Sequence, residues 1–185
     1  MSARPTLAAR GRRLRHLATR FASSIRAGAL DEQTAAWAAD ALEPGERAVW
    51  ARMSRADRAE GVAVARAFVA AGGDDDRRWR AAALLHDAGK QVSGYGTFGR
   101  VLATLVIGVV GRARARAWAD GAGSVRSRIG RYAAHDDLGA DLLRAAGARD
   151  EVAAWAAAHH RPERRPGTGI PESVCRQLAV ADGEA

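Results

Sequence analysis

One cysteine, Cys175, excludes any disulfide within the chain and fits a reducing compartment, so the expected location is the cytoplasm. Aromatic residues make up only 5% of the sequence, and none interleaves with the densest arginine cluster, Arg10, Arg12, Arg13, Arg15 and Arg20, before Phe21. A base-stacking platform is therefore not indicated, and nucleic acid is not the expected partner. The apolar run Val101 to Val110 is half the length needed to cross a bilayer, roughly 20 residues, so no transmembrane span is expected. Arg12-Arg13 is followed by no apolar core, which removes a twin-arginine export reading. Internal repeats and the two-residue alternation of strands are both missing. Lysine is nearly missing as well: 28 of the 29 basic residues are arginine, and the exception is Lys90.

What is present is alanine, arginine and helix punctuation. The 185 residues suit one domain with a real core, and the net charge is +8. The arginines are spread along the chain, in an Ala/Arg/Gly-biased composition typical of high-GC coding, so the charge reads first as a solvated basic surface. Residues 1–30 read as a basic leader, partly helical through Leu14, Leu17 and Phe21, and residues 31–185 as a single helical domain.

Asp31 is placed to cap a helix carrying Ala35, Trp37, Ala38 and Leu42, and Pro44 suits the first turn of the next. Ser54 begins a helix through Val62, Val64, Ala65, Phe68 and Val69, which Gly72-Gly73 ends. Asp74-Asp75-Asp76 reads as a helix start rather than a metal cluster. The helix after it, through Trp79, Ala82, Ala83 and Leu85, runs into His86-Asp87. Ser93 to Thr97 reads as turns. The run Val101 to Val110 reads as a buried helix beside the site, with a shallow dip into an anionic membrane as the alternative, since Arg112, Arg114 and Arg116 follow. A further helix is expected to end near His135, with Asp136 or Asp137 capping the next through Leu138, Leu142 and Leu143. Val152 to His160 forms another, Pro166 to Gly169 a loop, and Pro171 opens a last helix through Val174, Leu178 and Asp182. The fold class expected is all-α.

The stretch Leu84-Leu85-His86-Asp87-Ala88-Gly89-Lys90 carries most of the chemistry. An imidazole and a carboxylate on consecutive residues supply a neutral nitrogen and an anionic oxygen, which suits Mn²⁺, Fe²⁺, Zn²⁺ or Ni²⁺. The ammonium of Lys90 is a compact point charge suited to a tight phosphate-facing pocket. The five histidines are His16, His86, His135, His159 and His160, four of them at or near predicted helix ends, with Asp182 near the close of the last helix. Candidate ligands on separate helices suit a site in the middle of a helical bundle.

That order resembles the HD-domain superfamily of metal-dependent phosphohydrolases, over about residues 50–185. His86-Asp87 matches its doublet and Ala88-Gly89-Lys90 the usual continuation. His135 with Leu138-Gly139-Ala140 resembles the segment of the third His, His159-His160 the fourth, and Ala181-Asp182 the closing Asp. The resemblance implies an HD-like helical bundle binding one or two divalent ions and hydrolysing a nucleotide or other small phosphate ester. Asp87 would bridge the ions, with Glu60, His86 and Asp182 on one and His135 and His159 on the other. It also implies a phosphate grip by Lys90, and leaves His160 as a ligand, a proton donor to the leaving oxygen or an exposed side chain, with a supporting role favoured. Arg55, Arg58 and Arg131 are further candidate phosphate contacts. Glu60 stands where the family has its first His, in Asp57-Arg58-Ala59-Glu60. Three readings follow: a carboxylate ligand in place of imidazole, a lost first site, or a degenerate module that binds a nucleotide or partner protein without turnover. A membrane-peripheral scaffold is the remaining alternative. Oligomeric state is left open.

Overall fold

The computed structural model describes residues 29–73, 75–121 and 123–183. The leader helix expected through Leu14, Leu17 and Phe21 lies outside them, as do His16 and Asp74. Among the described residues there are ten α-helices, two 3₁₀ helices and no strand, so the fold is all-α. No helix among them is long and apolar enough to cross a membrane.

Local chemistry sets the helix starts. Helix α1 (Glu32–Ala41) begins where the Asp31 carboxylate accepts the Thr34 amide at 2.8 Å, and α2 (Pro44–Arg52) begins on proline. Helix α3 (Arg55–Ala70) is capped by Ser54, and Gly72, at φ +79°, follows its end. Asp76 accepts the Arg78 amide at 2.8 Å to start α4 (Arg77–Leu85), while Asp75 pairs with Arg80 at 3.1 Å. A 3₁₀ helix (Ala88–Ser93) leads to α5 (Thr97–Val110), α6 (Arg112–Arg116), α7 (Val125–Ala133), α8 (His135–Ala145) and α9 (Asp150–Ala158). A second 3₁₀ helix (Pro162–Thr168) replaces the expected loop before α10 (Glu172–Asp182). His135 proves to be the first residue of α8 rather than the end of α7, because Ala134 breaks the helix between them, and Asp136 and Asp137 fall in the first turn.

Helix α4 is the axis of the main core. Ala81, Ala82, Ala83, Leu84 and Leu85 are all fully buried, among Phe68, Leu143, Trp155 and Leu178. Its alanines keep it thin enough for neighbours on several sides. On α3, a Cβ added at Gly61 would lie 2.4 Å from the Leu84 carbonyl oxygen, so the two backbones touch there. A smaller cluster of Ala103, Ala115, Ile129 and Ala133 joins α5, α6 and α7 into a separate lobe.

Helix α5 departs from expectation. It is not buried beside the site: of its described side chains only Ala103 is buried, while Leu102, Leu105 and Val109 are 55, 62 and 87% exposed. Val106, Ile107 and Val110 pack inward on the small cluster, and the outer face has nothing over it among the described residues.

A buried ion pair closes the base of the bundle. Glu46 of α2 accepts hydrogen bonds from Arg149 Nε at 2.9 Å, Arg149 Nη2 at 2.6 Å and the Glu43 amide at 2.9 Å. Burial pushes its carboxyl up, but those bonds and the guanidinium charge outweigh it and hold the group below the usual glutamate range. A depressed carboxylate contributes stability above its unfolded value, about 4.3, and loses it on acidification through the folded value. Glu46→Gln is therefore expected to cost about 2 kcal/mol at neutral pH. In urea unfolding the gap to the wild type should close as the pH is lowered below about 4. A gap independent of pH would show that the charge is not what stabilises this contact.

Candidate metal centre

Four helices deliver the candidate site. Helix α4 ends at Leu85, His86 keeps helical backbone angles, and Asp87 (φ −98°, ψ 12°) turns the chain into the first 3₁₀ helix. His135 opens α8, His159 closes α9, and Asp182 is the last residue of α10. One local bond recurs at three histidines. His86 Nδ1 lies 2.8 Å from Ala83 O, His135 Nδ1 2.8 Å from Tyr132 O, and His159 Nδ1 2.8 Å from Ala156 O. A carbonyl can only accept, so each Nδ1 carries the hydrogen, and each neutral ring keeps its lone pair on Nε2. This backbone support is the arrangement that orients imidazole toward a metal.

The three Nε2 atoms converge on Asp87. His135 Nε2 and His159 Nε2 lie 3.3 and 3.7 Å from Asp87 Oδ1, and His86 Nε2 lies 3.3 Å from Oδ2. His86 Nε2 is also 3.4 Å from Asp182 Oδ1. All five of these side chains are buried. The Nε2 atoms of His86, His135 and His159 and the Oδ1 of Asp87 nevertheless form no hydrogen bond. A buried polar atom without a hydrogen bond costs about 1–3 kcal/mol, so several facing one another call for a shared partner. A divalent cation is such a partner. Asp87, His135, His159 and His160 each offer an atom within 4.8 Å of the others, so this group could hold a metal ion.

The electrostatics fit a cation. Burial would raise the Asp87 carboxyl, but Lys90 and His86 beside it and the His135 contact overcome that and hold it well below the usual carboxylate range. Burial depresses His159 strongly, with His160 and His86 adding to the effect, and it depresses His135. Both are thus kept neutral, as ligands must be. His86 goes the other way: burial lowers it, yet the carboxylates of Asp87 and Asp182 more than reverse this. A proton and a metal therefore compete for the His86 Nε2. Asp182 is held at about 2, since His86 outweighs its burial.

Lys90 pairs with Asp87 Oδ2, and its ammonium lies 3.7 Å from Glu60 Oε2. Glu60 thus approaches the centre through Lys90. His160 is half-buried, with its ring 4.0 Å from that of His159 and 5.2 Å from that of His135. Its side chain offers an atom within 4.8 Å of those of Asp87, His135 and His159, so ligation, one of the roles the sequence leaves open for it, is within reach. Arg58 lines a separate cavity of about 160 Å³ with Leu30, Trp50 and Arg55, and Arg131 is half-buried in the last turn of α7. Neither forms a hydrogen bond or ion pair with the cluster among the described residues.

Sequence reasoning missed the clamp that holds α8. Asp136 accepts from Arg116 Nη1 at 2.6 Å and from Arg161 Nη2 at 2.6 Å. Those arginines outweigh its burial and keep it at about 2. Its partners lie 20 and 25 residues away, at no diagnostic spacing. Asp57 was equally silent: it is buried on α3 and gripped by both terminal nitrogens of Arg100, one of them at 2.9 Å. Two glycines set the distance from Asp87 to His135. A Cβ at Gly89 would fall 1.8 Å from the His135 carbonyl oxygen and 2.6 Å from the Gly139 nitrogen.

No protein-family model, curated protein or solved structure matches the chain.

Gly89→Ala is expected to force α8 away from Asp87. Zinc or manganese affinity, measured by calorimetry, should fall at least tenfold, whereas alanine at the open Gly108 should leave it unchanged. Equal affinity in Gly89→Ala and wild type would mean that Asp87 and His135 do not share an ion.

Proposed function

We propose that this protein is a metal-dependent phosphohydrolase of the HD-domain type, acting on a nucleotide or another small phosphate ester. One observation carries the reading: three imidazole Nε2 atoms, each oriented through a backbone carbonyl, face a single buried carboxylate and form no hydrogen bonds. The resemblance of His86-Asp87-Ala88-Gly89-Lys90, His135, His159-His160 and Asp182 to the ordered ligands of that superfamily agrees with it.

Bound there, a divalent ion such as Mn²⁺, Fe²⁺, Zn²⁺ or Ni²⁺ would supply acidified water and neutralise phosphate oxygens. The protein's own groups prepare the rest. Asp87, kept ionised by its neighbours, would be the shared anionic ligand, its Oδ1 facing His135 and His159 and its Oδ2 facing His86. Asp182 Oδ1, 3.4 Å from the His86 Nε2, would join His86 as a ligand on that side. Lys90, paired to Asp87, would supply the positive charge that grips a phosphate oxygen. His160, at the half-buried edge, can complete the ligand set or pass a proton to the leaving oxygen.

A second reading has a specific observation behind it. The Lys90 ammonium sits between Asp87 and Glu60, on the side where the family has its first His. A positive charge already there favours a single ion bound by Asp87, His135, His159 and His160, or a module that binds without turnover.

Elemental analysis of the purified protein should find about one or two equivalents of transition metal, and a His86→Ala/Asp87→Ala variant should carry none. With Mn²⁺ or Fe²⁺ restored, a panel of nucleotides and a generic phosphodiester should show hydrolysis that Asp87→Ala lowers by on the order of 100-fold or more. Metal without turnover of any ester would support the silent module. Failure to take up any of the four metals would remove both readings.

A further inference from the structure

We propose that the lobe formed by α5, α6 and α7 docks on the surface of an anionic lipid bilayer, with α5 lying along the interface. This does not depend on the chemistry of the metal centre. Helix α5 is apolar on both faces. Its inner side packs on Ala115 and Ile129, while Val101, Leu105 and Val109, at intervals of four, form an outward stripe with Leu102 beside it. Gly108 on the same helix has open space where a Cβ would stand. An apolar helix face of this kind is what an interfacial helix lays into the headgroup boundary.

Charge supplies the second, independent observation. Residues 88–134 hold eight basic residues against one acidic residue, Asp120, a net +7. The remaining residues beyond the leader, 29–87 and 135–185, sum to −6. Lys90, Arg100 and Arg116 pair with Asp87, Asp57 and Asp136 of the other elements, so the positive excess beside the exposed apolar helix rests on Arg112, Arg114 and Arg126. Arg112 and Arg114 are exposed directly after α5. Arg126 is exposed on α7 beside the exposed Val125, its guanidinium 4.5 Å from the ring of half-buried Trp118. Arginines around an apolar stripe, with an amphipathic aromatic nearby, can reach phosphate headgroups while the stripe enters the acyl boundary.

The alternatives fit less well. A symmetric pair of copies meeting on this face would bring two net-positive lobes together at the cost of their repulsion. Nucleic acid would answer the charge but offers nothing to cover an aliphatic stripe that has no stacking side chains.

Co-sedimentation of the full chain with vesicles tests this. Vesicles of phosphatidylcholine with about 30% phosphatidylglycerol should pellet the protein at low ionic strength, neutral vesicles should pellet it less, and high salt should release it. Leu105→Asp/Val109→Asp should lower partitioning at least tenfold with the melting temperature unchanged, since both sites are exposed. Arg112→Gln/Arg114→Gln should lower it and flatten the salt dependence. No pelleting at low salt would overturn the proposal. So would pelleting that survives Leu105→Asp/Val109→Asp, which would assign the binding to the basic leader. A dimer in solution that Leu105→Asp/Val109→Asp converts to a monomer, without vesicle binding, would make the face a contact between copies instead.

Discussion

A carboxylate taken out of water at the end of the core helix governs this structure. Dehydrating Asp87 costs on the order of several kcal/mol, and the protein offsets that with positive or polarisable neighbours from four directions. Lys90 comes from the following turn, His86 from the preceding residue, His135 from α8 and His159 from α9. Each lies on a different segment, so the cost of one buried charge binds the bundle into a single arrangement. The same neighbours leave nitrogen lone pairs facing inward, and this turns a structural constraint into a place for a cation.

Small residues make that convergence geometrically feasible. Alanine and leucine along α4 let α3, α9 and α10 approach closely, and Gly89 lets the turn after Asp87 rest on the first turn of α8. Wherever a Cβ would intrude, the distance from Asp87 to His135 would grow. The arginine pair on Asp136 then fixes α8 from outside, through contacts that lie away from the cluster. Packing of the surrounding helices thus sets the candidate ligand atoms close together, which would lower the reorganisation that binding an ion requires.

The lobe of α5 to α7 obeys a different physics. Its small core of Ala103, Ala115, Ile129 and Ala133 buries little area, and its longest helix keeps an apolar face outside. Side-chain ties connect it to the rest of the bundle: Arg116 on Asp136 and Asp137, Arg100 on Asp57, and Arg128 on the Ser93 and Gly94 carbonyls. An exposed apolar face in a positively charged region is costly in water and favourable at an interface of opposite charge.

Local chemistry was legible without coordinates. Asp31, Ser54 and Asp76 cap helices because their short oxygens reach the second or third amide ahead, and proline opens α2 because its φ is already helical. His86-Asp87 could be singled out for the same reason: its residue types and spacing are local properties of the chain. What lay beyond the sequence was set by distance in space. That Val101, Leu105 and Val109 would face outward could not be read from an apolar run, because burial depends on what packs over it, and nothing among the described residues covers that stripe. That His160 would stand in ligating range while Glu60 meets the centre through Lys90 depends on how α3, α8 and α9 cross. Sequence by itself determined where helices begin and which groups can ligate. Only the tertiary structure decided which of those groups share one buried charge, because dehydration and close packing act between segments that the chain order leaves far apart.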